Sequence, residues 1–497
     1  MKNFLFAFFI GFFSCSKKPL EQLPITTSSI KAIAYYEKAM KHLQVGEQIE
    51  KRKFLDSALF FDPDFAMALE FYDDPNLAKR KKDQKKAQSL LNNLTEEEKH
   101  ILQIRDGYRS NNLDKALYHA EKLVSIRPNS FESFNWLGIV QSDRNEIKKA
   151  ISSFKKAINL YEDNYVAYNY LTGHHIPSGE RVMLPEEERD VQLGLEYSNQ
   201  LIKIRPEEGF SYHFKANCYR MVGEFDKAMP LYEKSIKKRR GSSSEGTALL
   251  VSGHNYMFGG DFKTARERYA EAIKKSQTEI GELTINNYIV WSHIFEGNFS
   301  GAINELLKIE RKLDESKMSE EDILQSKASL SFQKFVFYGH SQMEKETKKA
   351  LMDNKKHRKQ RADILDEQST FIDNKSTDAY MESWFHILFG RYNEAKEKLD
   401  ELFSIVKEIK SPTAMYGYYG LKGMAELGEG NGERALESFK LADKTNTYFL
   451  FQKALAHRSV GEKEKAKRIL KDISNENFSY WELAIVKNQA KEVMEKI

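Results

Sequence analysis

Apolar residues along this chain recur at steps of three and four in nearly every window, the spacing of helices that bury one face. The period is interrupted by one short phrase that returns throughout. It reads Gly223-Glu224-Phe225-Asp226-Lys227-Ala228, then Gly260 to Ala265, Gly297 to Ala302, Gly390 to Ala395, Gly430 to Ala435 and Gly461 to Ala466, with weaker copies at Asn111 to Ala116 and Asn145 to Ala150. Each phrase begins with Gly or Asn, the residues that enter the left-handed backbone region most cheaply and therefore end a helix. An apolar residue usually follows two positions on and anchors the turn. The Ala at the sixth position leaves room for two helices to cross closely. Each copy predicts the elbow of a helical hairpin, and the chain as a whole is predicted to be all-α. Only 10 Pro and 26 Gly occur in 497 residues, so strands and their turns have little room.

Measured from Ala to Ala, the elbows stand 34 residues apart (Ala116 to Ala150), 37 (Ala228 to Ala265 to Ala302), 40 (Ala395 to Ala435) and 31 (Ala435 to Ala466). A period of this length predicts stacked two-helix units. The repeat resembles the tetratricopeptide family on Leu137-Gly138, Ala150, Phe154 and Ala157, and again on Tyr212, Ala216, Tyr219, Gly223, Ala228 and Tyr232. Gly253, Tyr256, Ala265, Tyr269 and Ala272 match it a third time, and Pro128 and Pro206 close repeats. The resemblance spans roughly 32–312 and 376–475. It implies an α-solenoid, a right-handed superhelix of hairpins that binds other molecules rather than transforming them.

Residues 1–14 carry a different pattern. Lys2 precedes an apolar run from Phe4 to Phe13, too short to span a membrane, which needs ~20 residues. This is a signal peptide by pattern. The run ends in Phe12-Phe13-Ser14-Cys15, which resembles a bacterial lipoprotein cleavage box and implies a lipidated Cys15, with residues 15–28 as a polar tether. Ser16, where similar lipoproteins retained at the inner membrane carry Asp, points to the outer membrane, facing the periplasm. The other cysteine, Cys218, lies on a predicted helix as a small core residue.

The remaining domain organisation follows from the elbows. A first array covers 29–312 and a second 376–477. Between them, at 313–375, the period is lost and a long basic helical insertion is expected, carrying Lys345, Lys348, Lys349, Lys355, Lys356, Arg358, Lys359 and Arg361. Its readings are a solvated face or contact with an anionic surface. A similar basic run, Lys79 to Lys86, reads as a solvated helix face. Residues 478–497 are expected to cap the open end of the stack, with Trp481, Ile485, Val486, Ala490, Val493 and Ile497 on one stripe and Lys487 among the charges opposite.

A net charge of +4 with 30% charged residues does not call for nucleic acid. His174-His175, in a stretch that lengthens one repeat, are adjacent and so diverge, and nothing spaced nearby completes a metal set. Gly241 to Thr247 imitates a phosphate loop but lacks its Lys and a preceding strand, so an inter-repeat loop is expected. No catalytic, cofactor or metal constellation emerges, and an enzyme is not expected.

In the resembled family, ligands contact fixed positions of the first helix of each repeat. Carried onto this chain, those positions implicate His213 and Asn217, His254, Asn287 and Trp291, and Tyr380 and Trp384 as lining a concave groove for a protein or peptide. The family's clamp for a terminal carboxylate is not reproduced, because His213 and Leu250 stand where Lys would be needed. The expectation is a membrane-anchored binding scaffold. The competing expectation is a glycan-capturing lipoprotein similar to those of starch-utilisation systems, which carry long irregular loops between helices.

Overall fold

The computed structural model describes residues 23–176, 184–185, 188–409, 411 and 413–497. The leader, Cys15 and the first part of the expected tether lie outside the described residues, as do Pro177 to Arg181 of the lengthened repeat.

Every elbow predicted from Gly or Asn adopts the left-handed conformation, from φ 50° at Asn111 and 59° at Asn145 to 91° at Gly260. At Gly223 the geometry is that of a helix stop closed by two backbone bonds, Gly223 N–H to Arg220 O at 3.0 Å and Glu224 N–H to Tyr219 O at 2.9 Å. The residue after several elbows then caps the next helix. Asn112, Asp261 and Asn298 accept from the backbone N–H three residues on. One short phrase thus stops a helix, reverses the chain and starts its partner.

Among the described residues, twenty-five α-helices form twelve hairpins and a terminal helix. α1 (Ile30–Leu43) pairs with α2 (Gln48–Phe61), and the short α3 (Ala66–Phe71) with α4 (Leu77–Ser89). Next come α5 (Glu96–Arg109) with α6 (Leu113–Ile126), α7 (Phe131–Asp143) with α8 (Ile147–Leu160), and α9 (Tyr165–His175) with α10 (Val191–Ile204). The middle of the stack holds α11 (Gly209–Met221) with α12 (Phe225–Arg239), α13 (Glu245–Phe258) with α14 (Phe262–Lys275), and α15 (Glu279–Phe295) with α16 (Phe299–Asp314). Then follow α17 (Glu320–His340) with α18 (Glu344–Leu365) and α19 (Gln368–Leu388) with α20 (Tyr392–Val406). The last pairs are α21 (Tyr416–Gly428) with α22 (Gly432–Leu441) and α23 (Thr447–Ser459) with α24 (Lys463–Asn475), before the terminal α25 (Trp481–Glu495). The architecture is an α-solenoid.

The eight elbow alanines, Ala116, Ala150, Ala228, Ala265, Ala302, Ala395, Ala435 and Ala466, are all fully buried at 0% exposure. They sit where the two helices of a hairpin come closest, so any larger side chain would force the crossing apart. Gly253 serves the same purpose from the opposite helix. A Cβ there would stand 2.5 Å from the Tyr269 ring.

The stack is not interrupted at 313–375. α17 and α18 form a hairpin like the others, in contact with α16 before and α19 after. Its elbow carries Gln342 at φ 58° and makes the same pair of closing bonds, Gln342 N–H to Gly339 O and Met343 N–H to Tyr338 O. The sequence period vanished because Gln stands in the left-handed position, not because the fold departs from its repeat.

Successive turns of the superhelix also touch each other. Ser244 Oγ donates to Glu47 at 2.5 Å and Ser243 N–H to Glu50 at 3.3 Å, so the loop at Gly241 to Thr247 is held by carboxylates 193 residues or more away. Farther on, Lys81 bonds Leu365 O and pairs with Glu367, and Asn145 donates to the Tyr416 hydroxyl at 3.0 Å.

A Cβ added at Gly260 or Gly297 would meet nothing within 4 Å, so backbone strain alone sets the cost there. Gly260→Ala should lose about 1 kcal/mol and Gly260→Asn less, while Gln342→Gly should gain a comparable amount. Denaturant titrations check all three; equal losses for Ala and Asn, or no gain at Gln342, would contradict the elbow geometry.

Candidate functional site: the concave surface

The first helix of each hairpin faces the inside of the superhelix, and the residues singled out by the family resemblance lie there. Their surroundings differ from an open groove. On α11, Asn217 accepts from the Tyr232 hydroxyl at 2.7 Å, and Tyr232 accepts from Arg220 Nη1 at 2.9 Å. His213 stacks on Phe210 and faces the Arg239 guanidinium at 3.3 Å, which fixes its Nδ1 as an acceptor. On α13, His254 bonds the Tyr269 hydroxyl at 2.8 Å and packs on the ring of Tyr288. His213, Asn217 and His254 are all buried.

Asn287 and Trp291 of α15 are only half-buried, and Gln333 of α17 joins them. Trp291 Nε1 donates to Gln333 Oε1 at 3.0 Å, and Gln333 Nε2 donates to Asn287 Oδ1 at 2.9 Å. Tyr380 and Trp384 form a separate cluster on α19. Trp384, 1% exposed, donates to the Tyr448 hydroxyl at 3.3 Å and is ringed by Phe335, Tyr380 and Trp481. The structure therefore brings Asn287 and Trp291 together, gathers His213 with Asn217 at α11, and keeps Trp384 inside a core.

The last segment of the chain, from Asn477 onward, covers Arg220 and Trp384. α25 stacks on α23 and α24 in the position of a further first helix, as a terminal cap should, and then crosses the concavity. Asn477 O accepts from Arg220 Nε at 3.0 Å, Trp481 meets Phe332 and Trp384, Lys487 lies over Phe258, and Asn488 donates to Phe295 O at 3.0 Å. Lys487 is thus not on a solvent face. Its ammonium donates to Ser474 O at 2.8 Å and to Glu476 O, and burial, with Lys491 nearby, pushes its pKa down to about 8. The run Leu483-Ala484-Ile485-Val486 is buried throughout, which no one-sided cap requires. That unbroken apolar run was the available signal.

The first described residues also dock on the stack. Residues 23–28, expected to belong to a tether, lie extended across α5, α7 and the end of α2. Leu23 N–H donates to Glu132 at 2.6 Å, Thr26 N–H and Oγ1 to Glu98 at 2.7 and 2.6 Å, and Ser28 N–H to Asp62 at 3.0 Å, with Thr27 Oγ1 on Asp62 at 2.5 Å. Leu23 and Ile25 pack on the neighbouring apolar cluster. Burial raises the Glu132 carboxyl above its ordinary range, against the bond from Leu23. No feature of residues 23–28 alone announces this docking.

The adjacent histidines are bonded separately. His174 Nε2 meets Ser142 Oγ at 3.1 Å, and His175 Nδ1 accepts from Asp190 N–H at 3.0 Å. Cys218 is fully buried, and desolvation pushes its thiol up to about 12.

The chain carries a tetratricopeptide repeat. Residues 131–164, the α7–α8 hairpin and its approach to α9, match the tetratricopeptide repeat model, and the same hairpin is the unit repeated along the structure. A stretch of 141 residues is 24% identical to the CTR9 homolog of Arabidopsis thaliana, covering 28% of this chain and only 12% of that protein. Among solved structures, MamA from Desulfovibrio magneticus RS-1 is 15% identical over 37% of this chain and 96% of that one, with a TM-score of 0.30. A tetratricopeptide repeat protein of Parabacteroides merdae is 13% identical over 76% and 98%, with a TM-score of 0.29. Human IFIT1, solved as a dimer with PPP-AAAA, is 16% identical over 83% and 90%, with a TM-score of 0.37. At scores this low, none of the three bears on what this chain binds.

Trp384→Ala should cost about 3–5 kcal/mol of stability, the loss of a core aromatic, as read from denaturant titrations. A near-neutral change would place Trp384 at an open surface instead. The histidines supply a second expectation. Burial holds His213 and His254 well below the ordinary imidazole value, and His340, whose Nε2 is enclosed near Trp384 and Tyr448 without a partner, is lowered to about 4. The unfolded chain therefore binds protons first as pH falls below about 6.5. Their contribution to stability is complete above that value and is lost on acidification toward pH 4, by up to about 1.4 kcal/mol per pH unit for each histidine. Stability curves of the parent and His340→Gln should diverge over this window; parallel curves would contradict a neutral, enclosed His340.

Proposed function

We propose that this tetratricopeptide scaffold is tethered through a lipidated Cys15 to the outer membrane, faces the periplasm, and binds a protein partner along the part of its inner surface that stays open at Asn287 and Trp291. One observation carries the binding role: the inner surface takes up polypeptide in two modes, an extended segment at Glu132, Glu98 and Asp62 and a helix at α13 to α19. Half-buried Trp291, with its indole N–H fixed by Gln333, supplies an apolar anchor with a polar edge of the kind that dominates association.

The tether reading rests on the run Phe4 to Phe13 and the box ending at Cys15. Leu23, the first described residue, follows Cys15 by eight positions, a reach of at most about 29 Å. A docked segment 23–28 would therefore hold the body close to the bilayer on a short leash. The glycan-capturing alternative is not favoured, because most connections between hairpins are tight elbows rather than long loops.

Mass spectrometry of the protein from detergent-solubilised membranes should find an acylated Cys15 at the mature N-terminus, and Cys15→Ala should release or mislocalise it. A mature chain that begins elsewhere, without acyl groups, would remove the tether. A photo-crosslinking residue at Asn287 should trap one protein partner in cells, whereas the same residue at Lys263, on a second helix, should not. Equal trapping at both would remove the inner-surface assignment.

A further inference from the structure

α18 divides its charges between two faces. Arg358 turns inward, with Nε on Asn354 at 2.7 Å and Nη1 on Asn374 O at 3.1 Å, and it also pairs with Asp378. Arg361 pairs with Glu321 at 2.6 Å, and Lys355 with Asp378 and Glu382 at 3.2 Å each. Lys345, Lys348, Lys349, Lys356 and Lys359 are different. All five are exposed, and among the described residues none makes an ion pair or hydrogen bond.

Helical spacing puts these five lysines on one outward stripe, about 21 Å long from Lys345 to Lys359. Met352, at 64% exposure, sits in its middle. Glu346 and Asp353 lie at its margin and Asp363 beyond its end, so the centre of the stripe carries a single sign of charge. The turn-to-turn contact adds to it. Lys81 of α4 is tied to Leu365 O and Glu367 at the C-terminal end of α18, and exposed Lys82 and Lys85 of α4 make no ion pair among the described residues. Two basic runs nearly 280 residues apart in sequence are thus neighbours.

We propose that the outer face of α18, prolonged by α4, docks on an anionic lipid surface, with the five lysines on phosphate-bearing headgroups and Met352 entering the interface. Charge complementarity favours lipid over an acidic protein for a specific reason. The two arginines of α18, Arg358 and Arg361, whose planar forks suit bidentate protein carboxylates, are both spent on contacts within the fold, and the outward groups are flexible point charges. A protein interface would also be expected to present an apolar and aromatic centre, whereas this face offers one methionine. The inference rests on the membrane-tethered reading for the presence of a bilayer, yet its test uses unacylated protein, so the two fail separately.

The test is flotation of the full chain carrying Cys15→Ala with vesicles of phosphatidylcholine alone and of phosphatidylcholine mixed with phosphatidylglycerol. The leader is common to every sample, so the quantity read is the gain in binding on adding the anionic lipid. That gain should fall by at least about tenfold in Lys345→Glu/Lys349→Glu/Lys356→Glu. It should persist in a charge-matched triple on other helices, Lys263→Glu/Lys274→Glu/Lys467→Glu. Circular dichroism melts confirm that both triples fold, as substitutions of exposed lysines should. The proposal is overturned by the absence of any gain with anionic lipid, or by equal losses in the two triples, which would mean diffuse attraction. It is likewise overturned if the α18 triple abolishes binding of polyglutamate but not of vesicles, which would assign the face to an acidic polypeptide.

Discussion

The stack depends on a backbone constraint: at its recurring elbows one residue must hold a positive φ while, five positions later, a small side chain, in eight of them alanine, lets two helices cross. Glycine or asparagine meets the first demand at eight elbows, and fully buried alanine meets the second at all of them. Because three of these elbows, at Asn112, Asp261 and Asn298, also cap the following helix, the hairpins form largely by local rules and need only stack. Stacking then buries the apolar faces, and the slight rotation between units curls the stack until distant turns meet.

That curling has a functional consequence that local rules do not contain. A curled stack creates an inner surface, and here the chain supplies occupants of its own. At one end, extended residues 23–28 lend backbone N–H groups to Glu132 and Asp62, with Glu98 between them. At the other, the segment Asn477 to Phe478 covers Arg220 and α25 covers Trp384. The buried imidazoles are enclosed by packing within the stack, His213 by Phe210, Tyr232 and Arg239, His254 by Tyr269 and Tyr288, and His340 by Trp384 and Tyr448, while Lys487 is lowered by its own burial on α25. Asn287 and Trp291 stay half-buried, and five exposed lysines line the outside of α18.

These two levels explain what could be read in advance. The hairpins were legible because glycine and asparagine announce a left-handed turn. The α17–α18 hairpin was not, because Gln342 gives no such notice, and a regular unit looked like an insertion. The helices that carry His213, Asn217, His254, Trp291 and Trp384 were also legible, since the repeat fixes which helix faces inward. Their exposure was not. Arg220 and Asn477 are 257 residues apart, and no local pattern encodes their bond. One signal was present, the apolar run Leu483 to Val486, which is too wide for a helix with a solvated face.

The central claim is that residues 23–28 dock on the stack and α25 lies inside the superhelix, and hydrogen exchange of backbone amides addresses it directly. If α25 fills the concavity, amides of Leu483 to Val486 should be protected to the same degree as those of α13 and α15, because they can open only when the stack opens. Slow exchange at Leu23, Thr26 and Ser28, whose N–H groups are held by carboxylates, should accompany it. Rapid exchange of α25, independent of α13 and α15, would mean an empty concavity and a loose terminal helix, and would contradict the account.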